Sequence, residues 1–126
     1  MKSLSLVALG AFCLSTSAIA AEPDAITVRA SDPFAAAAIR NGDYARAEAL
    51  LNDRHFDRND PVRLINLGAA YWMSGRHDAA VASWRQALAS PVQYDVQTAG
   101  GRMRSTDELA REALAAAARP MMTAAR

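Results

Sequence analysis

The sequence predicts an all-α fold of short antiparallel helix pairs. Three observations carry this expectation. Thirty of the 126 residues are alanine, the best helix former and a residue that lets helices approach closely. Apolar residues recur at three- and four-residue spacing between Gly, Pro and Asn-Gly breaks. The chain also repeats itself at an offset of 33 residues, which pairs Gly42 with Gly75, Tyr44 with His77, Ala47 with Ala80 and Leu51 with Trp84.

The first segment stands apart from that pattern. Met1-Lys2 supplies one positive charge, Leu4 to Leu14 is mostly apolar and uncharged, and Ala18-Ile19-Ala20 is a small-x-small cleavage pattern. These are the three regions of a secretory signal peptide. The apolar run is shorter than the roughly 20 residues a bilayer span needs. Residues 1–20 are therefore expected to be removed after Ala20, and the mature protein is expected to be periplasmic or secreted, without membrane insertion.

Removal would leave Ala21 to Arg126, enough for one modest core. Cys13 leaves with the leader. It follows Phe12 inside the apolar run, which argues against lipid attachment, and the mature part has no thiol. Lys2 is the only lysine, so the mature chain carries 13 Arg against 13 Asp plus Glu. With no block of like charge, nucleic acid and anionic membrane surfaces are poor partners.

Residues 21–30, with Pro23 and little periodicity, read as a flexible lead-in, and 31–119 as the helical domain. Ser31-Asp32-Pro33 predicts a capped helix start running through Phe34 and Ile39 to about Arg40, where Asn41-Gly42-Asp43 breaks it. A second helix is expected from about Tyr44 to Arg54. Asp60-Pro61 repeats the cap-proline start for a third, with Leu64, Leu67, Gly68, Tyr71 and Trp72 at helical spacing. Ser74-Gly75 ends it. The fourth runs from about His77 to Ala89, and Ser90-Pro91 closes it.

Val92, Tyr94 and Val96 then alternate with Gln93, Asp95 and Gln97, and Gly100-Gly101 follows. This stretch, 92–104, reads equally as a short β-hairpin or a plain loop. Ser105 stands three residues before Glu108, the capping-box spacing. A last helix should run from Thr106 to about Arg119, with Leu109, Ala113 and Leu114 inward and Arg111 and Glu112 outward. Pro120 stops it, and 120–126 should fray.

Within the second unit, Leu64, Leu67, Gly68, Tyr71, Gly75, Ala80, Trp84, Ala87 and Pro91 resemble the tetratricopeptide repeat (TPR) pattern, with its L-G-x-x-Y, later A-x-x-x-F and closing proline. Trp84 stands in the Phe position, and Leu64 replaces the usual Trp. The first unit keeps Gly42, Tyr44, Ala47 and Leu51 but has Ala35 and Ala38 where Gly68 and Tyr71 stand. The resemblance covers about 31–91. It implies a short solenoid of two repeats with the Thr106 helix as a cap.

Catalysis is not expected. No zinc spacing, phosphate loop or nucleophile elbow is present, and His55 and His77 suit a solvated connector and a packing position. No cofactor or metal is expected either. The resemblance implies a binding face on the first helix of each unit, which in the second unit offers Arg63, Asn66, Trp72 and Met73 to a protein or peptide segment. Trp72 could instead be core. The other reading of the whole chain is a self-associating subunit that covers an open solenoid end with a second copy.

Overall fold

The computed structural model describes residues 34–119. The expected leader (1–20), lead-in (21–30), Ser31-Asp32-Pro33 cap and fraying tail (120–126) lie outside the described residues. Five helices and one small sheet follow in order: α1 (Ala36–Arg40), α2 (Tyr44–Leu51), α3 (Pro61–Met73), α4 (His77–Leu88), β1 (Asp95–Gln97), β2 (Met103–Ser105) and α5 (Thr106–Ala118). The chain is thus mostly helical, with a two-stranded antiparallel sheet between α4 and α5.

The two helix–turn–helix units end their first helices in the same way. Asn41 and Ser74 are the C-caps, and Gly42 and Gly75 follow with φ of 74° and 82°. Asp43 N–H donates to Ala38 C=O at 2.9 Å, and Gly42 N–H to Ile39 C=O at 3.0 Å. Thirty-three residues on, Arg76 N–H donates to Tyr71 C=O at 2.8 Å and Gly75 N–H to Trp72 C=O at 3.0 Å. Both are Schellman motifs, which close the last carbonyls of a helix and reverse the chain through a left-handed residue. Ala47 and Ala80 are both fully buried, as are Leu51 and Trp84. The offset seen in sequence is therefore an offset in turn geometry and burial.

α3 is the central element. Its residues from Pro61 to Ala70 are buried all round, as befits a helix enclosed by neighbours; α1, α2, α4 and α5 all pack against it. Asp60 caps it, its carboxylate accepting from Val62 N–H at 2.8 Å and Arg63 N–H at 3.2 Å. Three apolar clusters surround it. One joins Ile39, Ala47, Leu51, Leu67 and Ala70 under Tyr44 and Tyr71. A second joins Val62, Leu64, Ile65, Ala87, Val96, Leu109 and Ala110. The third is Ala80, Trp84 and Ala113, with Trp72, Leu114 and Ala117 against it.

Two expected boundaries shift, and one expected cap does not form. α1 does not run back through Phe34, because Ala35 adopts a left-handed φ of 56° and the Phe34 carbonyl turns to the Asn66 side chain. α2 stops at Leu51 instead of near Arg54. There the Asp53 carboxylate accepts from His55 N–H at 2.9 Å, an Asx turn that competes with helix. The capping box at Ser105 does not form. The Ser105 hydroxyl goes to Asp107, while Glu108 is drawn outward to Arg104 Nε at 3.2 Å.

The stretch 92–104 contains a hairpin, with Asp95 opposite Ser105, Val96 opposite Arg104 and Gln97 opposite Met103. Its turn is closed by Gly101 N–H to Thr98 C=O and Thr98 N–H to Arg102 C=O, each 2.8 Å. Val96 anchors it in the second cluster. Its base is tied by Thr106, whose hydroxyl accepts from Tyr94 N–H at 3.0 Å and donates to Gln93 Oε1 at 2.6 Å.

Candidate functional site

The residues expected to form a binding face lie along α3 and meet three different fates. Arg63 and Asn66 point inward, and Trp72 and Met73 are half-buried at the C-terminal end.

Arg63 is 7% exposed. Its Nε donates to Leu51 C=O, Nη1 to Arg58 C=O at 3.1 Å and Nη2 to Asn52 Oδ1 at 2.9 Å. The planar fork therefore ties the end of α2 to the connector that leads into α3. None of the three acceptors is charged, and desolvation holds the guanidinium below its ordinary pKa. The expectation that Arg63 edges a contact surface is corrected on this point: its donors are already committed inside the domain.

Asn66 is fully buried. Its Nδ2 donates to Phe34 C=O at 2.8 Å, thirty-two residues earlier in the chain. A buried amide needs such partners. Asn66 does hold a backbone carbonyl, but the backbone is the chain's own turn before α1. Beside it the Phe34 ring packs on the second cluster and meets the Phe56 ring, with centroids 5.7 Å apart and planes tilted by 50°.

Trp72 is part of an aromatic row. It stacks on His77 with centroids 4.2 Å apart at 26°, and it meets Trp84 at 5.7 Å and 39°. Leu114 and Ala117 of α5 share its cluster. The indole is thus packed between His77 and Trp84 yet half-buried, at the α3–α4 turn next to half-buried Met73 and exposed Ser74 and Gly75. Trp84 is buried, and its Nε1 donates to Ile65 C=O at 3.2 Å.

The electrostatics nearby are those of pairs on the surface. Arg76, at the head of α4, makes a two-point contact with the Glu48 carboxylate of α2. It also lies over the Tyr71 ring, 4.5 Å from the centroid. The Arg76 hydrogen bond holds the Glu48 carboxyl below its ordinary pKa. On α5, Arg104 reaches Glu108 and Glu112, and Arg111 pairs with Asp107 at 3.1 Å. Among the described residues no group of three or more His, Cys, Asp or Glu is placed to hold a metal ion. Among them, too, no helix is long and apolar enough to cross a membrane.

The hairpin region also carries exposed apolar side chains. The structure exposes Val92, Tyr94 and Met103 there, Met103 most of all at 63%. They do not form one face. Met103 lies opposite Gln97, whereas Tyr94 follows the parity of inward-facing Val96. Nothing in the alternation itself distinguished Val96 as the anchor; only the packing of α5 does. No protein-family model, curated protein or solved structure matches the chain.

Proposed function

We propose that the chain is an exported protein-interaction module, built as a short TPR-like stack, that holds a protein or peptide segment by contact and does no chemistry on it. The observation that carries this reading is the repeated unit. Two helix pairs share one turn geometry and one pattern of buried small and large residues at the same offset, the arrangement by which repeat domains build a binding surface from stacked units. The outward face of α5, with Glu108, Arg111 and Glu112 exposed, suits the polar cap such a stack requires.

With Arg63 and Asn66 inside, the outer contact falls to Trp72 and Met73. Aromatic and Met side chains at the edge of a packed cluster suit a protein interface. Trp72→Phe keeps an aromatic ring in the third cluster. The variant should cost no more than about 2 kcal/mol in urea, the loss of part of the indole's packing, yet bind the envelope partner of the mature protein more weakly. A partner held equally well by Trp72→Phe and by Met73→Ser would overturn this placement.

The α2 end favours a second reading, self-association. Ala45, Ala49 and Leu50 are exposed there beside Arg46, with Glu48 of the same helix paired to Arg76. Mass in solution that rises with concentration, and falls back on Leu50→Glu, would support it.

A further inference from the structure

Asn66, Phe34 and Ala35 form an arrangement that the packing of a helix pair does not by itself require. A wholly buried amide donates to a backbone carbonyl far away in sequence. The residue that carries the carbonyl is outside any helix, and its ring sits against Phe56 and the second cluster. The next residue, Ala35, is the one described non-glycine residue at positive φ, a conformation L side chains rarely adopt. Strained backbone of this kind persists where surrounding contacts hold it, and it collects at ligand clamps and switches. Here it turns Phe34 back over α3 before α1 begins.

We infer that Phe34 is a displaceable internal ligand, and that the seat it occupies takes a non-helical turn segment of a partner bearing an aromatic side chain whose own backbone carbonyl replaces that of Phe34 on Asn66. This rests on the interaction-module reading and adds its regulation. The chemistry of the occupant is read from the present one: an aromatic ring for the apolar floor, a carbonyl for the amide, and non-helical backbone between them. A competitor must displace Phe34, so its apparent affinity is reduced by the fraction of time the seat is closed. Strain at Ala35 keeps that fraction adjustable.

The probe is a synthetic peptide with the sequence of residues 31–37, blocked at both ends, titrated into the mature full chain. Phe34→Ala vacates the ring's place and should bind the peptide about tenfold or more tighter than the parent. Ala35→Gly relieves the strain, tightens the closed form and should bind it more weakly than the parent. The same peptide carrying Phe34→Ala should bind none of them. Equal affinity for all three chains, or no binding to a folded Phe34→Ala chain, would overturn the inference. Should Phe34→Ala not fold, hydrogen exchange at Ile39 decides, since its N–H donates to Ala35 C=O at 3.0 Å. Exchange slowed by Ala35→Gly beyond its effect on global stability supports a seat that opens locally. Exchange in the parent only through global unfolding refutes it. A parent-chain dimer dissolved by the peptide would assign the seat to a second copy and overturn a foreign segment as the occupant. Failure here leaves the contact at Trp72 and Met73 standing, because that end of α3 does not involve Phe34.

Discussion

The indole of Trp84 fills the space in which a side chain at Gly68 would start: a Cβ on Gly68 would lie 2.3 Å from Nε1 and 2.6 Å from Cδ1. Glycine at this point of α3 is therefore a packing requirement, not a break in the helix. It lets α4 approach closely enough for Trp84 Nε1 to reach the Ile65 carbonyl.

Gly68→Ala should consequently destabilise the domain by about 2 kcal/mol, the overpacking penalty outweighing alanine's better helix propensity. Trp84→Ala should cost about 3–5 kcal/mol. Combining Gly68→Ala with Trp84→Phe should cost less than the two single changes added, by about 1 kcal/mol, because the smaller ring yields the space. Urea unfolding of the four variants checks this; strict additivity would mean the two positions do not share the contact.

The two Schellman turns make a paired prediction. A Cβ at Gly75 meets nothing within 4 Å, and one at Gly42 meets only the Tyr44 hydroxyl at 3.9 Å. Alanine at either is penalised by backbone conformation alone, about 1–2 kcal/mol. Gly42→Ala and Gly75→Ala should lower the urea midpoint by similar amounts. A large effect at one and none at the other would deny that the turns are equivalent.

Much of this was legible in sequence for a physical reason. Asp60-Pro61, Gly42 and Gly75 are local signals: a cap and two left-handed residues. The spacing of Leu64 and Leu67 on α3, and of Ala80, Trp84 and Ala87 on α4, follows from helix period. What sequence misplaced was side-chain direction on α3. A helix packed on all sides has no outward stripe, so Arg63 and Asn66, polar by type, read as surface when they are buried connectors of distant backbone. The capping box at Ser105 fell to two local competitors, since Asp107 takes the Ser105 hydroxyl and Arg104 takes the Glu108 carboxylate. The Phe34 seat had no local signal at all; it depends on a contact thirty-two residues long.

Arg63 separates a binding role from a structural one. Its guanidinium satisfies Leu51, Asn52 and Arg58 acceptors together, which a lysine ammonium cannot reproduce. Arg63→Lys should cost about 2 kcal/mol in urea, with little dependence on salt, because the acceptors are neutral. A variant as stable as the parent but weaker in partner binding would return Arg63 to the contact surface.

The Glu48–Arg76 pair sets an acid dependence. Its folded-state carboxyl is lowered by the Arg76 hydrogen bond. The contribution is therefore present above the unfolded pKa of Glu48, near 4.5, and is lost as pH falls through the lower folded value. The parent should lose more stability than Glu48→Gln between pH 6 and pH 3, by denaturation in urea across that range (about pH 3–6 spans the carboxylate titrations). Parallel curves would mean that the pair does not couple α2 to α4 in solution.

The most direct measurement concerns contact itself. A photo-crosslinking residue in place of Met73, at the half-buried end of α3, should trap a specific envelope protein in living cells. The same residue in place of exposed Arg85, on the outer side of α4, should not, and adding Trp72→Phe should reduce the adduct from position 73. Equal adducts from both positions, or none from position 73 while the domain is folded and exported, would contradict an interaction module that works through this end of α3.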